Sequence, residues 1–248
     1  MKVPLRLTAL LLLAAVTALA GDLTITMKGF GKFNDGLQTQ MWSSRYQRTN
    51  MPAQQRDSLV DYEQGIIYTI DHKKKTIDFM TWDDLEAAAE GAAAMMKDMP
   101  AFVLKMMPGG GGGGDISVED EGKEPVAGRT CRKWKFLSGG KVMWETSNDA
   151  SLKLPVPVAA YQRAVRLQRI IGAVGPAAAQ MAKLGAEMAK LQGTPLKWKT
   201  TMPMVGEMGA EATEVKEGPI PASAFALPEG YKKEDAGKKM REAMAKGR

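Results

Sequence analysis

Side chains that commonly do chemistry are scarce here, because the 248 residues include one histidine, His72, and one cysteine, Cys131. A zinc finger, a Cys-rich cluster or a disulfide framework needs several such residues, so all three are excluded. Cys131 lies in the run Arg-Thr-Cys-Arg-Lys-Trp-Lys-Phe, which reads as a strand interior where a thiol acts as a small hydrophobe. His72 is followed by Lys73, Lys74 and Lys75 at an expected hairpin tip. A general base needs a partner and a pocket, so this histidine reads as part of a solvated turn. The acid pair Asp83-Asp84 reads as a helix start, and Glu119-Asp120-Glu121 as a solvated loop. No G-x-S-x-G or H-E-x-x-H pattern occurs. The six glycines 109–114 lack the Lys and Ser or Thr that a phosphate loop requires. The expectation is a protein that is not an enzyme, with no cofactor and no metal.

Methionine is the abundant special residue, with 18 in the chain. Met95, Met96, Met99, Met106 and Met107 crowd one Ala-rich stretch, and Met181, Met188, Met202, Met204 and Met208 another region. Thioethers select Cu(I), and Met95 with Met99 has usable spacing, which keeps a copper binder as an alternative. Without His or Cys partners, the preferred reading is adaptable apolar filler, of the kind that lines a cavity accepting variable chains.

The surrounding elements give compartment and architecture. Lys2 and Arg6 precede an apolar run ending in Ala18-Leu19-Ala20, the pattern of a secretory signal peptide over residues 1–20, cleaved near Ala20 and Gly21. A periplasmic protein is expected. Without Lys2 and Arg6, 32 basic residues face 28 acidic ones, a net +4, and residues 232–248 hold seven basic and three acidic residues. The excess charge therefore lies in a basic tail, expected to be flexible, and the neutral body gives no electrostatic case for nucleic acid.

Residues 22–82 alternate apolar and polar residues, as in Leu23, Ile25 and Met27, and predict antiparallel strands. Within 65–80, pairing Asp71 with Lys74 sets Tyr68 opposite Ile77 and Ile66 opposite Phe79. Residues 83–114 predict a helical insertion interrupted by Pro100 and ending in the glycine run. A second hairpin turns at Gly139-Gly140, with Leu137 meeting Val142 and Phe136 meeting Met143. Helices follow over 158–192 with a break at Gly175-Pro176, and strands return at 196–201 and 212–216. Strands joined by hairpins and interrupted by helices favour an α+β fold, with helices on one face of an antiparallel sheet.

Several short motifs carry a resemblance. They are the Tyr68-x-x-Asp71-turn-Lys74 hairpin, the G-x-x-C-x-K-W strand from Gly128 to Trp134 and the F-x-L-P-E-G-Y segment from Phe225 to Tyr231. With the leader and the helical insertion, the chain resembles a family of bacterial secreted domains similar to the lipoprotein carrier LolA and its mycobacterial relatives. The resemblance implies a curved antiparallel sheet forming an open half-barrel over residues 21–231, with helices as a lid over an apolar cavity that shelters acyl chains. It implies no site residue. The expected ligand is a lipid or a lipoprotein acyl chain, and the expected cavity lining is Ile66, Tyr68, Ile77, Phe79, Met95, Met99, Phe102 and Met106. Arg163, Arg166 and Arg169 recur every three residues and, with the basic tail, are candidates for touching lipid phosphates or an acidic protein. An envelope sensor or scaffold with the same fold, binding a protein partner, is the alternative from another class.

Overall fold

The computed structural model describes residues 21–31, 34–97, 115–172, 178–188, 190–202 and 206–246. Twelve strands form one sheet: β1 (Leu23–Phe30), β2 (Gly36–Trp42), β3 (Tyr46–Met51), β4 (Arg56–Asp61), β5 (Ile66–Asp71), β6 (Thr76–Thr81), β7 (Ile116–Val126), β8 (Arg129–Ser138), β9 (Lys141–Asp149), β10 (Thr194–Met202), β11 (Gly206–Glu217) and β12 (Lys232–Asp235). Their spatial order is β12-β6-β5-β4-β3-β2-β1-β11-β10-β9-β8-β7. Every pairing is antiparallel except that of β12 with β6. The sheet is curved and unclosed, as an α+β half-barrel requires.

Four α-helices occur among the described residues: α1 (Trp82–Lys97), α2 (Val158–Gly172), α3 (Ala178–Met188) and α4 (Ala236–Lys246). They touch one another in the order α4, α1, α2, α3. Helices α4 and α1 meet β6 near one edge of the sheet, and α3 meets β7 at the other. The helix chain thus joins the two ends of the sheet. Arg163 on α2 bonds Asp83 and, at 3.2 Å, Glu86 on α1, while Arg166 lies 3.9 Å from both Glu86 and Glu90. Two of the three arginines expected to meet a partner are therefore engaged within the chain; nothing is described of the Arg169 side chain.

Alternation makes β1 amphipathic, with Leu23, Ile25 and Met27 at most 3% exposed. These residues share a core with Trp42, Val126, Cys131, Leu152, Leu196, Ala210 and Ala212. Burial pushes the Cys131 thiol up to about 11, leaving it protonated and inert at neutral pH.

The β5–β6 hairpin corrects one expectation. Tyr68 faces Phe79, Ile66 faces Thr81 and Asp71 faces Thr76, two residues away from the expected pairing. The loop holds four residues, 72–75, because Asp71 accepts a bond from the Lys74 backbone N–H at 2.8 Å and Lys75 takes a positive φ of 53°. A two-residue turn would need positive φ at His72, and in its type I′ form at Lys73 as well, positions that Gly or Asn usually fill. A shift of two preserves the face each side chain points to. In the β8–β9 hairpin Leu137 faces Val142 as expected, but a bulge sets Phe136 opposite Trp144 rather than Met143. Their rings stack with centroids 5.4 Å apart.

Residues 232–246, expected as a flexible tail, instead add β12 to β6 and lay α4 against α1. Lys239 bonds Glu234, Arg241 bonds Asp84, and Gly237 lies where a Cβ would strike the Asp84 carboxylate. The free edge β7 carries Glu119, Asp120, Glu121 and Lys123, a bulge between Asp120 and Gly122, and Pro125. Charge, bulge and proline all discourage pairing with another chain's strand.

Candidate functional site

The five strands β7 to β11 build a polar trough. Register sets Lys199 opposite Glu145, Lys197 opposite Ser147 and Glu211, and Lys133 opposite Ser147. Lys197 reaches Glu124 on β7 at 3.6 Å although β9 and β8 lie between their strands, and Ser147 bonds the same Glu124 across β8. Curvature brings these side chains together around a cavity of about 390 Å3 lined by Phe30, Glu124, Lys133, Glu145, Thr146, Ser147, Lys197, Lys199 and Glu211. Three lysines and three glutamates make its lining electrically neutral.

Ion pairs interlock along the trough. Lys197 also meets Glu211 at 3.3 Å, Lys199 meets Glu145 at 3.1 Å and Glu207 at 3.3 Å, and Lys133 meets Glu145 at 3.3 Å. The bond to Glu145, helped by Glu207, raises the Lys199 pKa against its desolvation. Burial disfavours the charged form of Glu145, but bonds from Lys199 and Lys133 outweigh it and hold the carboxyl below its ordinary range. Burial likewise opposes the Lys197 ammonium, and Glu211 and Glu124 more than compensate. Lys197, Lys199 and Glu145 are thus held in their ionised forms, a state that suits binding and positioning.

A second concavity, an apolar groove of about 350 Å3, lies where the chain enters α2. Leu152, Lys153, Leu154, Val156, Val158, Tyr161, Gly193 and Thr194 line it. Leu152 on its floor is 2% exposed, whereas Val158 and Tyr161 are 71% and 59% exposed. Pro155 and Pro157 stiffen the wall, and the Thr194 hydroxyl donates to the Leu152 carbonyl at 2.9 Å.

The third constellation surrounds His72. Its Nε2 lies 3.0 Å from Asp57, its Nδ1 lies 3.0 Å from the Tyr231 hydroxyl, and Asp57 pairs with Arg48 at 2.6 Å. Arg48 also donates to the Ala224 and Ala226 carbonyls at 3.2 and 2.8 Å. His72 is thus held by partners on both ring nitrogens, not merely solvated. The network ties the segment 218–231 to β3, β4 and the β5–β6 loop. Phe225 stacks on Tyr46 with ring centroids 5.2 Å apart and fills a second core with Met41 and Leu59.

That second core locates the residues expected to line a cavity. Tyr68 packs in it beside Phe225, and its ring lies 6.5 Å from that of Phe79. Ile77 is fully buried, and Ile66 shares its face with Tyr68 and faces Thr81. These four are brought to one face, residues of the segment 220–227 pack with Tyr68 in the second core, and none of the four lines either concavity. Met95 is 62% exposed on α1. Met99, Phe102 and Met106 lie outside the described residues.

Neither concavity is evident from the sequence alone. A signal for the trough was available in Lys197-Trp198-Lys199 and Lys133-Trp134-Lys135, where strand alternation puts the lysines on one face and tryptophan on the other. The groove had no comparable signal, because its walls lie in irregular chain.

No protein-family model matches the sequence, and neither does any curated protein. Among solved structures, the chain is similar to an uncharacterized conserved protein from Thermus thermophilus, at 9% identity and a TM-score of 0.47, over 88% of this chain and 91% of that one. It is also similar to the MucA/MucB complex structure of Pseudomonas aeruginosa, at 9% identity and a TM-score of 0.31, over 84% of this chain and 56% of the other. A LolA superfamily protein from Nitrosomonas europaea matches at 5% identity and a TM-score of 0.27, over 84% of this chain and 90% of that one. No site residue follows from likenesses of this size. No helix among the described residues is long and apolar enough to cross a membrane.

Proposed function

We propose that the chain is a secreted, periplasmic, non-enzymatic binding protein of LolA-like half-barrel design, and that its apolar groove takes a lipid or lipoprotein acyl chain. The observation that carries this reading is the groove itself, with buried Leu152 at its floor and large apolar side chains, Val158 and Tyr161, held out in water at its rim. Its volume of about 350 Å3 falls within the range of small-molecule sites. Each methylene that leaves water for such a surface contributes about 0.8 kcal/mol. Pro155 and Pro157 preform the wall, so little ordering entropy opposes entry. The ligand is held by burial alone, and release needs a receiving membrane or protein rather than bond chemistry.

A second reading, a scaffold for a protein partner, draws on the same rim, since an exposed tyrosine beside an apolar slot is the usual anchor of a protein interface. Native mass spectrometry of the protein purified from its own envelope separates the two. The acyl reading expects an adduct of lipid mass that disappears in the Val158→Asp, Tyr161→Asp double variant, whose changes lie at exposed positions. A clean apo mass would sink the acyl reading, and a stoichiometric protein adduct lost in the same variant would replace it with the scaffold.

A further inference from the structure

The polar trough supports an inference that goes beyond the acyl-binding reading and shares no lining residue with the groove. We propose that the cavity between β7 and β11 binds a neutral saccharide of one or two pyranose rings.

Charge selects the class of ligand. Three ammonium groups and three carboxylates line the cavity, interleaved so that each lysine already meets a glutamate. An anionic ligand would gain the lysines but face Glu124, Glu145 and Glu211 at the same time. A cation meets the opposite conflict with Lys133, Lys197 and Lys199. A hydroxyl escapes both, because one O–H accepts from an ammonium and donates to the neighbouring carboxylate without breaking the pair. Adjacent ring hydroxyls repeat that pattern, as the lysine–glutamate pairs repeat along the trough.

Capacity and shape agree. An ammonium has three N–H groups. Lys197 and Lys199 each engage two carboxylates and Lys133 one, so donors remain for a ligand. Ser147, whose hydroxyl bonds Glu124, adds a further polar group to the lining. Phe30, 38% exposed, supplies an apolar wall suited to the C–H face of a sugar ring. Gly209 keeps that wall in place, since a Cβ there would lie 2.6 Å from the Phe30 ring. The volume of about 390 Å3 accommodates a mono- or disaccharide.

The test is an amide-resolved NMR titration of the chain from residue 21 with glucose, maltose, cellobiose and N,N′-diacetylchitobiose, with glucosamine and glucose 6-phosphate as charged controls. At least one neutral sugar is expected to give saturable shifts at Phe30, Thr146, Ser147 and Lys197 to Lys199, with an affinity insensitive to added salt. Lys199→Gln and Phe30→Ala should each weaken it about tenfold, the cost of one lost hydrogen bond or ring contact. The proposal is overturned by the absence of saturable shifts at tens of millimolar of every neutral sugar, by shifts that map outside the trough, or by a charged control that binds more tightly and loses affinity with salt. Should Lys199→Gln fail to fold, the wild-type shift map and Phe30→Ala decide the question.

Discussion

The two ends of this single sheet treat their side chains in opposite ways. Over β2 to β5, one face carries Met41, Leu59 and Tyr68, and residues of the chain's own segment 220–227 pack on it and turn it into core. Over β7 to β11, curvature gathers lysines and glutamates around a cavity whose lining holds one large apolar side chain, Phe30. Both regions are antiparallel strands with similar alternation. Local pattern therefore decides which side chains share a face, while a distant segment decides whether that face becomes core or site. Here the deciding segment is 218–231, held by Arg48 and by the Tyr231 contact to His72.

Removing that hold should erase the contrast most completely. Asp57→Ala strips Arg48, whose side chain is 10% exposed, of its carboxylate partner, and His72 loses its Nε2 contact. Breaking a buried pair on one side costs about 3–5 kcal/mol, so urea unfolding should show a loss near the upper end of that range. An unchanged midpoint would mean that segment 218–231 is secured without the network. Next in size is Phe225→Ala, which empties the space between Tyr46, Met41 and Leu59. A loss of about 3 kcal/mol is expected from the removed ring and the cavity left behind. In both variants the trough should keep its amide shifts, as neither residue lines it.

Much of the strand half was legible because period-two alternation survives any register. Leu23, Ile25 and Met27 are buried as their spacing requires, and the two-residue slip in the β5–β6 hairpin left Tyr68, Ile77 and Phe79 on one face. The slip itself was set by Asp71 capping Lys74, a local bond that hydrophobic pairing cannot reveal. What covers that face was not legible. Contacts such as Arg48 to Ala226 join residues 178 positions apart, and nothing in either stretch alone marks the other. The Phe225 to Tyr231 motif was visible as a pattern, while its physical role, a stacked ring at one end and a histidine contact at the other, emerged only in three dimensions. The trough shows the same limit: each Lys-x-Lys strand reads as a solvated face until curvature brings Glu124 to Lys197.

A weaker effect is expected on the exposed edge, where Glu234 is the counterpart of buried Asp57. Lys232 and Lys239 bond Glu234 and lower its pKa to about 2 from an ordinary 4.5. A carboxyl whose folded pKa is depressed contributes stability above its unfolded pKa and loses it as pH falls through the folded one. The window for Glu234 is therefore about 4.5 down to about 2. Comparing wild type with Glu234→Gln by urea unfolding at pH 6 and at pH 2 isolates the contribution. A wild-type advantage at pH 6 that vanishes at pH 2 and shrinks in high salt is expected of a solvent-exposed pair joining β12 to α4. If the advantage is the same at both pH values, packing of β12 against β6 and of α4 against α1 holds the C-terminal region in place, and the charges at Glu234 merely accompany it.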